Sequence, residues 1–287
     1  TSVAASVTTE RSGFQCSSRI PVSISGSCRI FLILLLASLL SACMVSHTAE
    51  GASVTGPPAM QFSRTLRFER LSMDDGLPHS TVLAVLEDHE GYLWFGTNEG
   101  LSRYDGYDFT TFRRNNADST SLGANIVTSV FEDSAGRLWI GTDGGGLNLF
   151  HRETESFTRC LHDSLNDSSI SDDSVWSITQ SRDGTIWTGT KKGVCALDMH
   201  TGRFTRYESA AVNDSRKDIG VVRCVYEDKT GVLWAGTNTG IYRYAPGEGF
   251  SVPFDMRLAN NQNLSEASIW SVYEDSAGRF WIGTMRA

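Results

Sequence analysis

One heptapeptide recurs five times along this chain of 287 residues, and its spacing limits the fold more than any other feature. The pattern is Gly-x-x-Trp-x-Gly-Thr, at Gly91 to Thr97, Gly136 to Thr142, Gly184 to Thr190, Gly231 to Thr237 and Gly278 to Thr284. Its tryptophans, Trp94, Trp139, Trp187, Trp234 and Trp281, follow one another at intervals of 45, 48, 47 and 47 residues. A period of that length marks repeated supersecondary units, each unable to bury its apolar surface alone and therefore stacked on its neighbours.

Each unit reads as four short strands. In the second, strands are expected at Ile126 to Phe131, Leu138 to Thr142, Leu147 to Phe150 and Phe157 to Arg159, separated by polar, Gly-containing turns. Short strands joined by such turns form antiparallel meanders, and meanders stacked around an axis form a propeller. The expected fold class is all-β, a β-propeller of four-stranded antiparallel blades with a repeat of about 47 residues and about four and a half blades present. The blades are expected near 79–112, 123–160, 172–207, 218–254 and 266–287.

Alternation along an extended strand places Trp139 and Gly141 on one face and Leu138 and Ile140 on the other. The glycine is expected to leave room for the indole against the adjoining sheet. On this reading Trp94, Gly96, Trp139, Gly141, Trp187, Gly189, Trp234, Gly236, Trp281 and Gly283 form the structural blade signature. Asp133 should bond to backbone groups of its own turn, and Gly136 should supply the permissive backbone angle. The third unit departs from the pattern, with Gln180-Ser181 in place of Glu-Asp and Asp183 directly before Gly184, so its turn should be built differently. Residues 65–71 resemble the fourth strands at Phe109 to Phe112 and Phe204 to Tyr207, and are read as the outer strand that closes the last blade. The chain is accordingly expected to be an N-terminal fragment of a larger ring.

Residues 1–43 read as a signal or anchor region, 44–61 as a linker and 62–287 as the partial propeller. Arg19 and Arg29 precede the run Ile30 to Leu40, which matches a secretory signal and falls short of the roughly 20 residues that span a bilayer. Leu40-Ser41-Ala42-Cys43 resembles a bacterial lipobox, which makes Cys43 a lipidation candidate; a plain signal peptide cut elsewhere and an uncleaved anchor are the alternatives. Export to the periplasmic side of the inner membrane, or anchoring there through Cys43, is expected. Cys160, Cys195 and Cys224 are odd in number and widely spaced, which favours small core residues over a disulfide framework.

The net charge is −8 and no basic stretch stands out, so nucleic acid is not an expected partner. No phosphate-binding, nucleophile-elbow or zinc-protease motif occurs, and six scattered histidines give no metal-ligand spacing. No catalytic residue, metal or cofactor is therefore assigned. The pairs Glu87-Asp88, Glu132-Asp133, Glu227-Asp228 and Glu274-Asp275 recur at equivalent turns, and repetition marks a structural part rather than an acid/base pair.

Strand order gives the ring two faces. Tight turns between first and second strands occupy one. The other carries the turns between second and third strands and the long connections Arg113 to Asn125, Leu161 to Ser174, Ala210 to Gly220 and Met256 to Ser268. Ligand-face candidates there are Asn98, Glu99, Asp143, Lys191, Lys192 and Asn238, since loops on a rigid scaffold commonly carry binding.

Three stretches in the first blade resemble the two-component regulator propeller repeats of bacterial sensor proteins. They are Asp75-Gly76-Leu77-Pro78 followed by Val82, Glu87-Asp88-x-x-Gly91-x-x-Trp94-x-Gly96-Thr97, and Gly100-Leu101-Ser102-Arg103-Tyr104-Asp105-Gly106, with Ser121-Leu122 opening the next blade. The resemblance implies seven-bladed rings on the periplasmic side of the inner membrane that sense a ligand, followed by a β-sandwich, a membrane helix and a histidine kinase or diguanylate cyclase output. It implies a small-molecule or oligosaccharide ligand, the chain's own C-terminal propeller and output domains as partners, and a homodimer. The alternatives are a glycan-binding or glycan-processing lipoprotein propeller of lyase type, anchored through Cys43, and a protein-interaction propeller.

Overall fold

The computed structural model describes residues 4–11, 14–18, 67–212, 215–251 and 267–285. The apolar run after Arg29, Cys43 and the linker lie outside them. Ala4–Arg11 and Phe14–Ser18 are paired strands, and Arg67–Glu69 pairs antiparallel with the first of these. Among the described residues no helix is long and apolar enough to cross a membrane.

From Val82 onward the chain is a series of antiparallel meanders. The first blade runs Val82–Glu87, Leu93–Thr97, Gly100–Tyr104, Phe109–Phe112, with each strand bonded to the next. The second runs Val127–Glu132, Leu138–Thr142, Leu147–His151, Ser156–Cys160, and the third Val175–Gln180, Ile186–Thr190, Gly193–Leu197, Phe204–Tyr207. The fourth blade, Val222–Glu227, Leu233–Thr237, Gly240–Ala245, Gly249–Ser251, gains two strands at its outer edge, Ser209–Val212 and Ser215–Asp218. The fifth unit is a pair, Ser268–Glu274 with Phe280–Met285. The first strands of successive blades pack side by side about a common axis, so the molecule is an all-β propeller.

The signature works as blade-to-blade packing. Trp94 is fully buried against the second blade with Val127, Leu138 and Ile140, while Trp139 faces the third with Val175, Ile186 and Leu197. Leu138 and Ile140 thus fill the face opposite Trp139. Trp187 meets Val222, Leu233 and Tyr242 of the fourth blade, and Trp234 packs on Ile269 of the fifth. Burying an aromatic of this size contributes several kcal/mol, on the order of 25 cal/mol per Å² of apolar surface.

The glycines do something other than make room for the indole. A Cβ at Gly141 would sit 2.2 Å from Ser129 Oγ in its own blade and 3.0 Å from Val175 in the next. At Gly96 it would meet Val127 at 2.8 Å, and at Gly236 it would meet Ile269 at 2.7 Å. The space belongs to the residue that opens the following blade's first strand. This approach is too close for any side chain, whereas the Trp94 indole reaches to Phe112 of the outermost strand and Phe150 of the next blade.

Cys160, Cys195 and Cys224 are free thiols in strands, with Cys195 fully buried. Burial pushes the Cys224 thiol up to about 12, which keeps it protonated and unreactive.

Candidate functional site

On the tight-turn face the Glu-Asp pairs are fully engaged. Asp133 Oδ1 accepts the backbone N–H groups of Ala135 and Arg137, both at 3.0 Å, and Oδ2 accepts the Trp139 indole N–H at 2.9 Å. Asp88, Asp228 and Asp275 bond Trp94, Trp234 and Trp281 in the same way at 2.7, 2.8 and 3.0 Å. Burial pushes the Asp133 carboxyl up, but the bonds from Trp139, Arg137 and Ala135 outweigh it and hold it below the ordinary carboxylate value. Asp88 and Asp228 are likewise lowered against the cost of burial.

Three of the glutamates, Glu132, Glu227 and Glu274, reach back to the preceding blade. His89 donates its backbone N–H to Glu132 at 2.9 Å, Arg182 to Glu227 at 3.0 Å and Lys229 to Glu274 at 2.8 Å. The third blade keeps both bonds with neutral groups. Gln180 accepts Ser134 N–H at 2.8 Å, Ser181 Oγ accepts the Trp187 indole at 2.9 Å, and Ser181 itself donates to Asp183 at 2.6 Å. The turn expected to be built differently keeps the backbone bonds of the others, Ser181 N–H to the Thr185 carbonyl at 3.0 Å and Gly184 N–H to the Ser181 carbonyl at 2.8 Å, so the departure lies in its side chains alone. Arg152 adds a hub, with Asp88 at 2.7 Å, Glu132 at 2.8 Å and Glu90 at 2.9 Å. Carboxylates committed in this way brace the blades and are not poised for proton transfer.

The opposite face carries the loops. Asn98, Glu99, Asp143, Lys191, Lys192 and Asn238 all sit between second and third strands, and no contact joins them into one constellation. Glu99 lends its carbonyl to Arg113, at 2.9 Å. Asp143 accepts the Ser174 hydroxyl at 2.7 Å, and Asn238 accepts Val221 N–H at 3.1 Å. Lys192 approaches Asp172 at 3.9 Å, and both lysines are exposed. Two of the long connections are pinned from the blade edge. Arg159 donates to the Ser121 carbonyl at 2.8 Å and Arg206 to the Ser169 carbonyl at 2.7 Å.

A different set of residues meets at the axis. In every blade the first strand breaks register with the second after its opening residues, leaving one residue unpaired: Leu83, Thr128, Trp176, Arg223 and Trp270. A bulge re-aims the side chain it carries. Because these strands start at the loop face, the bulged residues ring the axis near that mouth. Thr128 spends its hydroxyl on the Val175 carbonyl of the next blade. The other polar members do not. The Arg223 guanidinium carbon lies 4.2 Å from the Trp176 ring centre and 4.6 Å from that of Trp270, a cation held between two indoles. Arg223 Nε and the indole Nε1 of both tryptophans are buried without an acceptor among the described residues. Burial pushes the guanidinium below its ordinary value, and the carboxylate of Asp143 offsets only part of that.

Sequence reasoning passed over these three residues. The signal was present: Trp176, Arg223 and Trp270 stand 47 residues apart, in register with the repeat but outside its signature. A cleft of about 730 Å³ also opens at the outer rim, between Tyr207, Tyr244 and Gly249. The Tyr207 and Tyr244 hydroxyls there lie 3.3 Å apart, and burial raises the Tyr207 phenol above its ordinary value. Among the described residues no group of three His, Cys, Asp or Glu could hold a metal ion.

The chain is similar to the extracellular domain of a hybrid two-component system of B. thetaiotaomicron, with 26% identity and a TM-score of 0.50 over 75% of this chain and 40% of that one. It is 42% identical over 55 residues to a histidine kinase of Formosa agariphila, a match that takes in 19% of this chain and 4% of the kinase. A catalytically inactive virginiamycin B lyase variant of Staphylococcus aureus, 12% identical with a TM-score of 0.51 over 78% of this chain and 83% of that one, shares the fold. The chain therefore spans less than half of the two-component domain and a small part of the kinase. The model of the two component regulator propeller matches residues 76–99, 121–144, 169–192, 218–239 and 263–286, each covering one heptapeptide and the strand before it. The five repeats of this chain are two-component regulator propeller repeats.

Proposed function

We propose that the chain is an exported ligand-sensing propeller of a bacterial signal-transduction receptor, with its ligand seated at the axis mouth of the loop face and with no catalytic role of its own. The observation that carries this reading is the Trp176–Arg223–Trp270 stack. There a half-buried cation and two indole donors converge without acceptors among the described residues. Buried polar groups are otherwise paired in native folds, so a cluster of unpaired ones on a rigid scaffold points to an external partner. The likeness to a two-component extracellular domain supports export and a signalling context. The periplasmic side of the inner membrane is the compartment this implies, and Cys43 a possible second tether.

A sensor needs its ligand to favour one arrangement of the receptor over another. The mouth suits that role because its three residues come from three consecutive blades, so a ligand there ties the blades together. The test is a screen of the full chain against saccharides and organic acids by calorimetry, with the products analysed. Saturable binding without turnover, abolished by Trp176→Ala with Trp270→Ala, is the expected result. Turnover of the bound compound would move the chain to the propeller enzymes, and ligands indifferent to the double substitution would move the site elsewhere.

A further inference from the structure

Resting on the reading of the axis mouth as a ligand site, we propose that the Trp176–Arg223–Trp270 stack recognises an oxyanion group, a carboxylate or sulfate carried by a small organic ligand, on the Nη edge of Arg223. Arginines elsewhere in the molecule show what this side chain does when its role is structural. Arg152 bonds three carboxylates, and Arg159 and Arg206 each clasp a turn of backbone carbonyls. Arg223 makes neither kind of contact with any described residue, although it stands in the middle of the fold rather than at its rim. Its only bracing is aromatic. The two indoles fix the guanidinium between them and leave its outer edge for a partner in the guanidinium plane.

That geometry selects among ligand chemistries. A cation shielded by two indoles feels a stronger field than one in water, so an anion gains more there than a neutral acceptor does. A guanidinium held in place offers two parallel N–H donors, which match the two oxygens of a carboxylate or sulfate and no feature of a hydroxyl-only ligand. The nearest acidic influence, Asp143, turns its Oδ1 to Ser174 and forms no ion pair with Arg223. It tempers the positive potential without occupying the donors. The two indoles supply apolar wall beside the guanidinium, which favours an organic group over a bare ion.

The experiment uses matched pairs that differ in charge and little else: glucuronate with glucose, and benzoate with benzamide, with inorganic sulfate as the bare ion. Binding to the full chain is measured by calorimetry and by the shift in thermal midpoint. The anionic member of at least one pair should bind roughly tenfold or more tighter than its neutral partner. Arg223→Gln should weaken it roughly 10–100-fold and erase the preference, and Arg223→Lys should keep the charge preference with several-fold weaker binding. Unchanged denaturation midpoints identify the loss as local, and Trp270→Phe, which keeps a ring but removes the indole donor, serves if Arg223→Gln does not fold. Neutral members binding as tightly as the anions, with Arg223→Gln neutral in effect, would overturn the oxyanion assignment and leave the sensor reading intact. Absence of saturable binding by every anion would overturn the assignment too, and sulfate binding as tightly as the organic anions would mean an adventitious ion only. Ligands of the chain that ignore Trp176→Ala with Trp270→Ala would instead sink the sensor site itself.

Discussion

The two ends of the propeller axis handle polar groups in opposite ways. At the tight-turn end the repeated aspartates and the glutamates of the second, fourth and fifth blades have their donors: Asp133 takes two backbone N–H groups and an indole, and Glu132 takes the backbone of the previous blade and a share of Arg152. At the loop end Arg223 Nε and two indole N–H groups lie together with no acceptor among the described residues. The first arrangement lowers the free energy of the fold and the second raises it. Stability and recognition are therefore separated along one axis, and substitutions at the two ends should differ in the sign as well as the size of their effect.

The largest effect is expected where packing and pairing coincide. Trp139→Ala should cost about 3–5 kcal/mol in chemical denaturation, because it empties a buried site between two blades and strands the Asp133 acceptor. Trp281, which is 39% exposed, should cost clearly less when treated the same way. Equal costs would mean that interblade burial is not what the signature supplies.

Next comes the turn itself. Asp133→Ala deprives one indole and two backbone N–H groups of their acceptor and should cost about 2–3 kcal/mol. Ser181→Ala, its counterpart in the third blade, removes a single neutral acceptor from Trp187 and should cost about 1 kcal/mol. A reversed order would show that charge in the acceptor contributes nothing. Acid should expose the same difference. Asp88, Asp133 and Asp228 have folded values below the ordinary 3.8, so their contribution is complete above that value and is lost as pH falls below it. Denaturation midpoints should hold from pH 7 to about pH 5 and fall below about pH 4, with Asp133→Asn flattening the fall.

How far the sequence reveals this division depends on what repeats. The blade strands and the face chosen by each tryptophan follow from a pattern seen five times, and the strands of the second blade lie within a residue of their expected limits. The role of the glycine was misassigned because alternation tells which face a residue occupies and not how closely the next blade approaches it. The Glu latch between blades was missed since its partner is a backbone amide, which has no sequence signature. The axis stack was missed for a related reason. Leu83, Thr128, Trp176, Arg223 and Trp270 share a register position without sharing chemistry, and only the bulge that turns them inward makes them a set. The loop candidates follow from their place in loops on a rigid scaffold, and several of their polar atoms hold those loops in shape.

The smallest change in stability is expected at Arg223, and that smallness sharpens the comparison most. Burying a charge without a partner carries a desolvation cost that an apolar side chain of similar length avoids. What Arg223 recovers is its attraction to two indole faces, worth about 0.5–2 kcal/mol, and a distant share of Asp143. These terms nearly cancel, so Arg223→Met, which keeps the packing between the rings, should leave the denaturation midpoint within about 0.5 kcal/mol of the parent or raise it. A loss of 2 kcal/mol or more would mean that the guanidinium is paired and serves the fold, as Arg152 does at the opposite end. A neutral or stabilising result would leave the cation at this position to be accounted for by a ligand, since the folding of the blades would then not call for a charge between Trp176 and Trp270.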